Sequence, residues 1–179
     1  MNLKTLTSIL TLVALAYFCK LGVDYRHAEE ANSGRPMESF TDRSETDLLV
    51  FPVKNHGLDH VISVFGDPRG SHRTHQGIDI KAPRGTEIVA VADGFIERIR
   101  EGEHAGKSIY LRSADGNLYF YAHLDSYEVE EMQAVVAGEL IATVGDTGNA
   151  ERTTPHLHFE ILIGQEKEAV DPLPFFLEV

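Results

Sequence analysis

From Leu48 onward the chain is predicted to fold as an all-β domain of antiparallel strands, on three observations. Short apolar runs recur between clusters of Gly, Pro, Asn and Asp. Two pairs of runs flank sequences that turn tightly, and no fixed-period repeat suggests a solenoid or a propeller. Of the 179 residues, 42% are hydrophobic and 25% charged, which is ordinary for one globular core plus an appendage.

The appendage comes first. Met1-Asn2-Leu3-Lys4 is followed by an apolar run to Cys19 and then Lys20, the pattern of an export signal or membrane anchor over residues 1–23, predicted as an apolar helix. Between the two lysines such a helix spans about 22 Å, against a hydrocarbon core of about 30 Å. Anchoring therefore needs Leu21-Gly22-Val23 and snorkelling lysines. Ala14-Leu15-Ala16 fits a signal-peptidase site, so the cleaved and the anchored forms both stand. Cys19 is the only cysteine, which excludes an intrachain disulfide or a thiolate metal site. Bulky Tyr17-Phe18 argue against lipidation there and for a cysteine packed in an apolar helix.

Residues 24–47 are polar, mixed in charge and centred on Asn32-Ser33-Gly34-Arg35-Pro36, which predicts a linker. If flexible, it reaches about 25–30 Å. The folded domain is assigned to residues 48–179.

Within it, Ile88–Ala92 and Phe95–Arg100 flank Asp93-Gly94, the signature of a two-residue hairpin. Ser108–Arg112 and Leu118–Tyr121 flank Ser113-Ala114-Asp115-Gly116-Asn117, a second hairpin. Tyr127–Ala134 is read as a short helical turn. Glu139–Val144 and Leu157–Ile163 supply two more strands, joined by residues 145–155, a loop of the length that usually carries function.

Four histidines and an aspartate bring chemistry to this frame: His75 and Asp79, His123, and His156 with His158. On a strand, residues i, i+2 and i+4 leave one face, so His156 pairs with His158 and His75 with Asp79, and the two pairs can converge on one ion. Zinc suits imidazole nitrogen and carboxylate oxygen at about 2.0–2.2 Å, and a catalytic zinc keeps three protein ligands and one open position. Two of the five residues are then spare, as acid and base partners for hydrolysis. The formal net charge of −12 and the lack of a basic run exclude nucleic acid as a partner. No strand-to-helix glycine-rich phosphate loop is present, and Gly77, Gly85, Gly94, Gly145 and Gly148 are read as turn and close-approach positions.

Between Phe51 and Pro172 the chain resembles the lysostaphin-type, or LytM-like, zinc endopeptidases that cut peptide cross-links of bacterial cell walls. The resemblance is carried in order by Phe51-Pro52-Val53, Val64–Arg69, His75–Thr86, Ala92-Asp93-Gly94, Tyr121–Leu124, Val144–Gly148 and Pro155–Glu160. It implies a compact antiparallel sandwich or barrel-like domain of the duplicated hybrid motif type, with one Zn2+ per chain held by His75, Asp79 and His158. His123 and His156 would be the catalytic pair. The implied substrate is the peptide stem of peptidoglycan, met outside the cytoplasm, in the periplasm or cell envelope. The membrane would be reached through residues 1–23 if they stay attached, and a regulatory adaptor could open the groove. The family also includes degenerate members that activate cell-wall amidases without catalysis; such a regulator does not need all five residues. Some members place a tyrosine near the metal, and no residue here is assigned to that role.

The remaining histidines, His27, His56, His60, His72 and His104, are read as packed or surface residues, with His72 near enough to His75 to border the groove. Glu160 is expected to orient a metal-binding imidazole rather than to act as a base.

Overall fold

The computed structural model describes residues 49–164 and 166–176. The apolar helix and linker expected over residues 1–47 lie outside them, and among the described residues no helix is long and apolar enough to cross a membrane.

Among the described residues, twelve strands follow in chain order: β1 (Val61–Ser63), β2 (Pro68–Arg69), β3 (Arg73–Thr74), β4 (Ile78–Lys81), β5 (Glu87–Val89), β6 (Gly94–Gly102), β7 (Gly106–Ser113), β8 (Leu118–Tyr127), β9 (Ala134–Val135), β10 (Leu140–Val144), β11 (His156–Ile163) and β12 (Glu168–Val170). Ten form one sheet in the order β1-β4-β11-β8-β7-β6-β9, with β12 on β11 and β10 bridging β5 and β8, while β2 and β3 make a separate ribbon. Every pairing is antiparallel, as the sequence predicts.

The core follows from two-residue alternation. On β11, Leu157, Phe159 and Ile161 are buried, while His156, His158 and Glu160 take the opposite face. On β4, Ile78 and Ile80 enter the same core and leave Asp79 on the other side. β8 is buried along most of its length because β7, β11 and β10 all pair with it. The hairpin predicted around Ser113–Asn117 forms, joining β7 to β8. Its turn is closed by the Ser113 and Asn117 backbones and by Gly116 N–H donating to the Ser113 carbonyl.

Two expectations are corrected. Asp93-Gly94 does not close a hairpin: β5 pairs with β10, and β6 with β7 and β9. The Asp93 carboxylate accepts instead from Ala137 N–H, and Val91 N–H donates to the Tyr121 hydroxyl oxygen, so the chain crosses between partners rather than turning back. Residues 127–134 form no helix. Met132 N–H donates to the Ile96 carbonyl, Ile96 N–H to the Gln133 carbonyl and Glu128 N–H to the Ile141 carbonyl. Strand-type bonds to two neighbours thus outcompete the local helical pattern.

Candidate metal centre and cleft

β4 and β11 lie side by side with His158 directly opposite Asp79 and Phe159 opposite Ile78. His75 is not on that strand, contrary to the simple i, i+4 expectation. It sits in the preceding loop, where its N–H donates to the Asp67 carbonyl and its own carbonyl accepts from Gly66 N–H. Gly77 allows the crossing from loop to strand: a Cβ there would lie 2.1 Å from the Phe159 carbonyl oxygen.

The three side chains still meet. His75 Nε2 lies 3.0 Å from His158 Nδ1 and 3.1 Å from Asp79 Oδ1, and His158 Nδ1 lies 2.9 Å from Asp79 Oδ1. Hydrogen bonds on the far sides fix what these atoms offer. His75 Nδ1–H donates to the Val64 carbonyl at 2.9 Å, which leaves Nε2 a lone pair. His158 Nε2–H donates to Glu160 Oε1 at 2.8 Å, which leaves Nδ1 a lone pair. Arg69 occupies the other oxygen of Asp79 and also donates to Ser63 Oγ.

Three acceptors so close repel one another unless a proton or a cation lies among them. Tetrahedral bonds of about 2.0–2.1 Å would place ligand atoms about 3.3 Å apart, near the separations seen. The electrostatics agree. Burial pushes the His158 pKa down, but hydrogen bonds to Asp79 and Glu160 outweigh it and raise the value to about 9. Burial likewise raises Asp79, and hydrogen bonds from His158 and His75 carry it well below the usual carboxylate range. The donor set therefore fits a divalent cation with affinity for nitrogen and oxygen.

Beside this centre, the His123 and His156 rings lie 5.0 Å apart. His123 reaches the cleft through a β-bulge. Tyr119, Tyr121 and Leu124 of β8 are core residues, whereas Phe120 and Ala122 line the cleft, so strict alternation would bury His123 in the core. Its φ of 63° and the slipped register against β7 insert one extra residue and turn the ring to the cleft face. Nδ1–H of His123 donates to the Thr147 carbonyl and Nδ1–H of His156 to the Thr154 carbonyl, leaving both Nε2 atoms as acceptors. Burial, helped by the neighbouring His156 and His158, lowers the His123 pKa to about 4, so its imidazole is neutral at neutral pH.

All but His75 of the five residues predicted from the sequence line a cleft of about 450 Å³, His75 being buried beneath it. Glu160 holds the orienting position expected of it. His72 is exposed and does not line the cleft, whereas His104, read as a bystander, does. Sequence reasoning gave no role to Arg69, Thr147 or Phe120, whose ring lies edge-on to His158 at 6.2 Å. The length of the loop 145–155 and the Val144–Gly148 stretch of the family resemblance pointed towards Thr147 without giving it a role.

The profile of Peptidase family M23 matches residues 73–172, a span that contains all five residues and both strands that carry the centre. The chain belongs to this family. It is 36% identical over 94 residues to the peptidoglycan DD-endopeptidase ShyC of Vibrio cholerae, covering 52% of this chain and 21% of that one. It is 37% identical over 116 residues to the murein hydrolase activator NlpD of Escherichia coli, covering 64% and 28%. The catalytic domain of the antimicrobial peptidase lysostaphin from Staphylococcus simulans superposes with a TM-score of 0.59 at 32% identity, over 65% of this chain and 90% of that one. The M23 fold is therefore shared with an antimicrobial peptidase, and the chain spans less than a third of the length of these curated relatives.

Proposed function

We propose that this chain is a zinc-dependent endopeptidase that hydrolyses peptide cross-links of bacterial peptidoglycan outside the cytoplasm. The observation that carries this reading is the convergence of His75 Nε2, Asp79 Oδ1 and His158 Nδ1 beside two histidines whose Nε2 atoms are free to accept. His75, Asp79 and His158 would hold the metal. Zinc there would polarise the scissile carbonyl and lower the pKa of water to about 7.

The rest of the work falls to the chain. His123, held neutral by burial, and His156 present their Nε2 atoms on the cleft wall, where one takes a proton from the attacking water and the pair returns one to the departing amine. Arg69 and Glu160 fix Asp79 and His158 in the orientation that points their ligand atoms at one another. Residues 1–23 as signal or anchor and 24–47 as tether belong to the same proposal, and would bring the domain, with its barrel-like hybrid-motif arrangement, to the cell envelope.

The kinship with a murein hydrolase activator supports a second reading, a regulator of wall amidases. The complete set of five residues favours catalysis, because amidase activation needs no metal centre.

The test is digestion of purified sacculi by the zinc-loaded chain, with released fragments read by mass spectrometry. The parent should create new peptide ends. His123→Ala should keep one zinc per chain and lose turnover, and His158→Ala should lose both. Stimulation of a purified amidase with no new peptide ends would replace the enzyme reading with the regulator reading.

A further inference from the structure

The ribbon β2–β3 carries a feature that fold stability does not explain. Arg69 and Arg73 are directly opposed across it, so both side chains leave one face, and both line the cleft. Like charges directly opposite each other on adjacent strands destabilise the pairing. Arg69 is neutralised by Asp79. Arg73 is exposed, and among the described residues it forms no ion pair, unlike Lys54, Arg69, Arg84, Arg112 and Lys167. The two cleft carboxylates are already engaged, Asp79 by Arg69 and His158, and Glu160 by His158. Arg73 is thus the uncompensated charge of the cleft.

We propose that Arg73 is a specificity-determining residue that binds a free carboxylate on the substrate peptide; this rests on the hydrolase reading above. The chain carries a net charge of −12, so an anionic peptide gains nothing from the long-range field. Screening over about 8 Å at physiological salt leaves a contact cation to select it. A guanidinium suits that task because its planar fork grips a carboxylate through two parallel hydrogen bonds. A bridge built only of glycine offers no such group. The carboxylate has two possible sources in a cross-linked stem: the side-chain carboxylate of a diamino diacid, or the C-terminal carboxylate of a terminal D-amino acid.

The experiment uses the full chain loaded with zinc and three synthetic cross-linked peptides: the free acid, one amidated at the side-chain carboxylate and one amidated at the C-terminus. Amidation at one of the two positions should lower kcat/KM about two- to fivefold, through KM with kcat nearly unchanged, as expected for an exposed ion pair. The position that matters identifies the source. Arg73→Gln should cleave that amide and the free acid equally well, while Arg73→Lys should restore part of the preference. Equal zinc stoichiometry and Tm for parent and variant establish that the fold is intact. Equal cleavage of all three peptides by the parent overturns the proposal, and so does an equal loss on free and amidated peptides in Arg73→Gln. If no peptide is cut, the hydrolase reading fails separately. The same peptides are then titrated by NMR, where binding without carboxylate dependence overturns the role of Arg73 as well.

Discussion

Gly77→Ala tests whether the centre depends on the close approach of loop and strand. The glycine has no positive φ, so alanine adds no backbone strain and the effect is steric alone. The added Cβ would lie 2.1 Å from the Phe159 carbonyl oxygen and 2.9 Å from Glu160 Cγ, while ordinary contact begins near 3.4 Å. The neighbouring backbone must yield by about 1.3 Å, far beyond the tolerance of about 0.2 Å for a metal–ligand bond. Because Phe159 and Glu160 adjoin His158, the movement separates His158 from His75. Loss of orienting contacts around a metal already weakens binding by about 10–100-fold, so zinc affinity in Gly77→Ala should fall by at least about 100-fold. Competition with a chromophoric chelator at pH 7.5 reads the affinity, and near-UV circular dichroism in chelator shows whether the domain still folds. A folded Gly77→Ala protein that binds zinc as tightly as the parent would refute the reasoning.

Two further outcomes follow from buried polar groups. Tyr121 is fully buried and its hydroxyl accepts from Val91 N–H at 3.0 Å, where the chain crosses between β5 and β6. Tyr121→Phe leaves that N–H unpaired and should cost about 1–3 kcal/mol in urea denaturation; an unchanged midpoint would mean that the bond is not formed. His123 gives a pH signature. Its pKa falls from 6.5 to about 4 on folding, so between those values the unfolded chain binds more protons and stability is lost as pH falls. At about 1.4 kcal/mol per pH unit the loss reaches about 3 kcal/mol. His123→Gln should flatten this part of the curve when both proteins are unfolded in excess chelator at pH 7 and pH 4.5. Parallel curves would show that the imidazole titrates normally.

The local pattern carried much of the fold. Alternation along Leu157–Ile163 placed Leu157, Phe159 and Ile161 in the core and aimed His156 and His158 together, because side-chain direction on a strand depends only on the parity of position. The turn Ser113–Asn117 was legible for the same reason, since its hydrogen bonds close within five residues. Where a local signal competed with distant partners it misled. Asp93-Gly94 resembles a hairpin, but the bonds that decide its path come from Ala137 and Tyr121.

For the site, the sequence by itself singled out the five side chains to which the proposed function assigns the chemistry, because imidazole and carboxylate recur there at strand spacing. It could not supply the geometry. Asp79 and His158 are 79 positions apart in sequence and meet only because β4 and β11 pair in one register. Burial of Asp79 arises from that packing, and the ion pair from Arg69 and the opposition of Arg69 and Arg73 arise from the separate β2–β3 ribbon laid beside it. The bulge at His123 is the clearest case: parity assigns the ring to the core, and only the mismatch between β8 and β7 turns it to the cleft. A left-handed backbone at a non-glycine residue costs on the order of 1–3 kcal/mol, and it persists because strand pairing on both sides of His123 holds it there. Residue type and period are properties of the chain, whereas register, bulges and charge compensation are properties of pairs that the chain brings together only on folding.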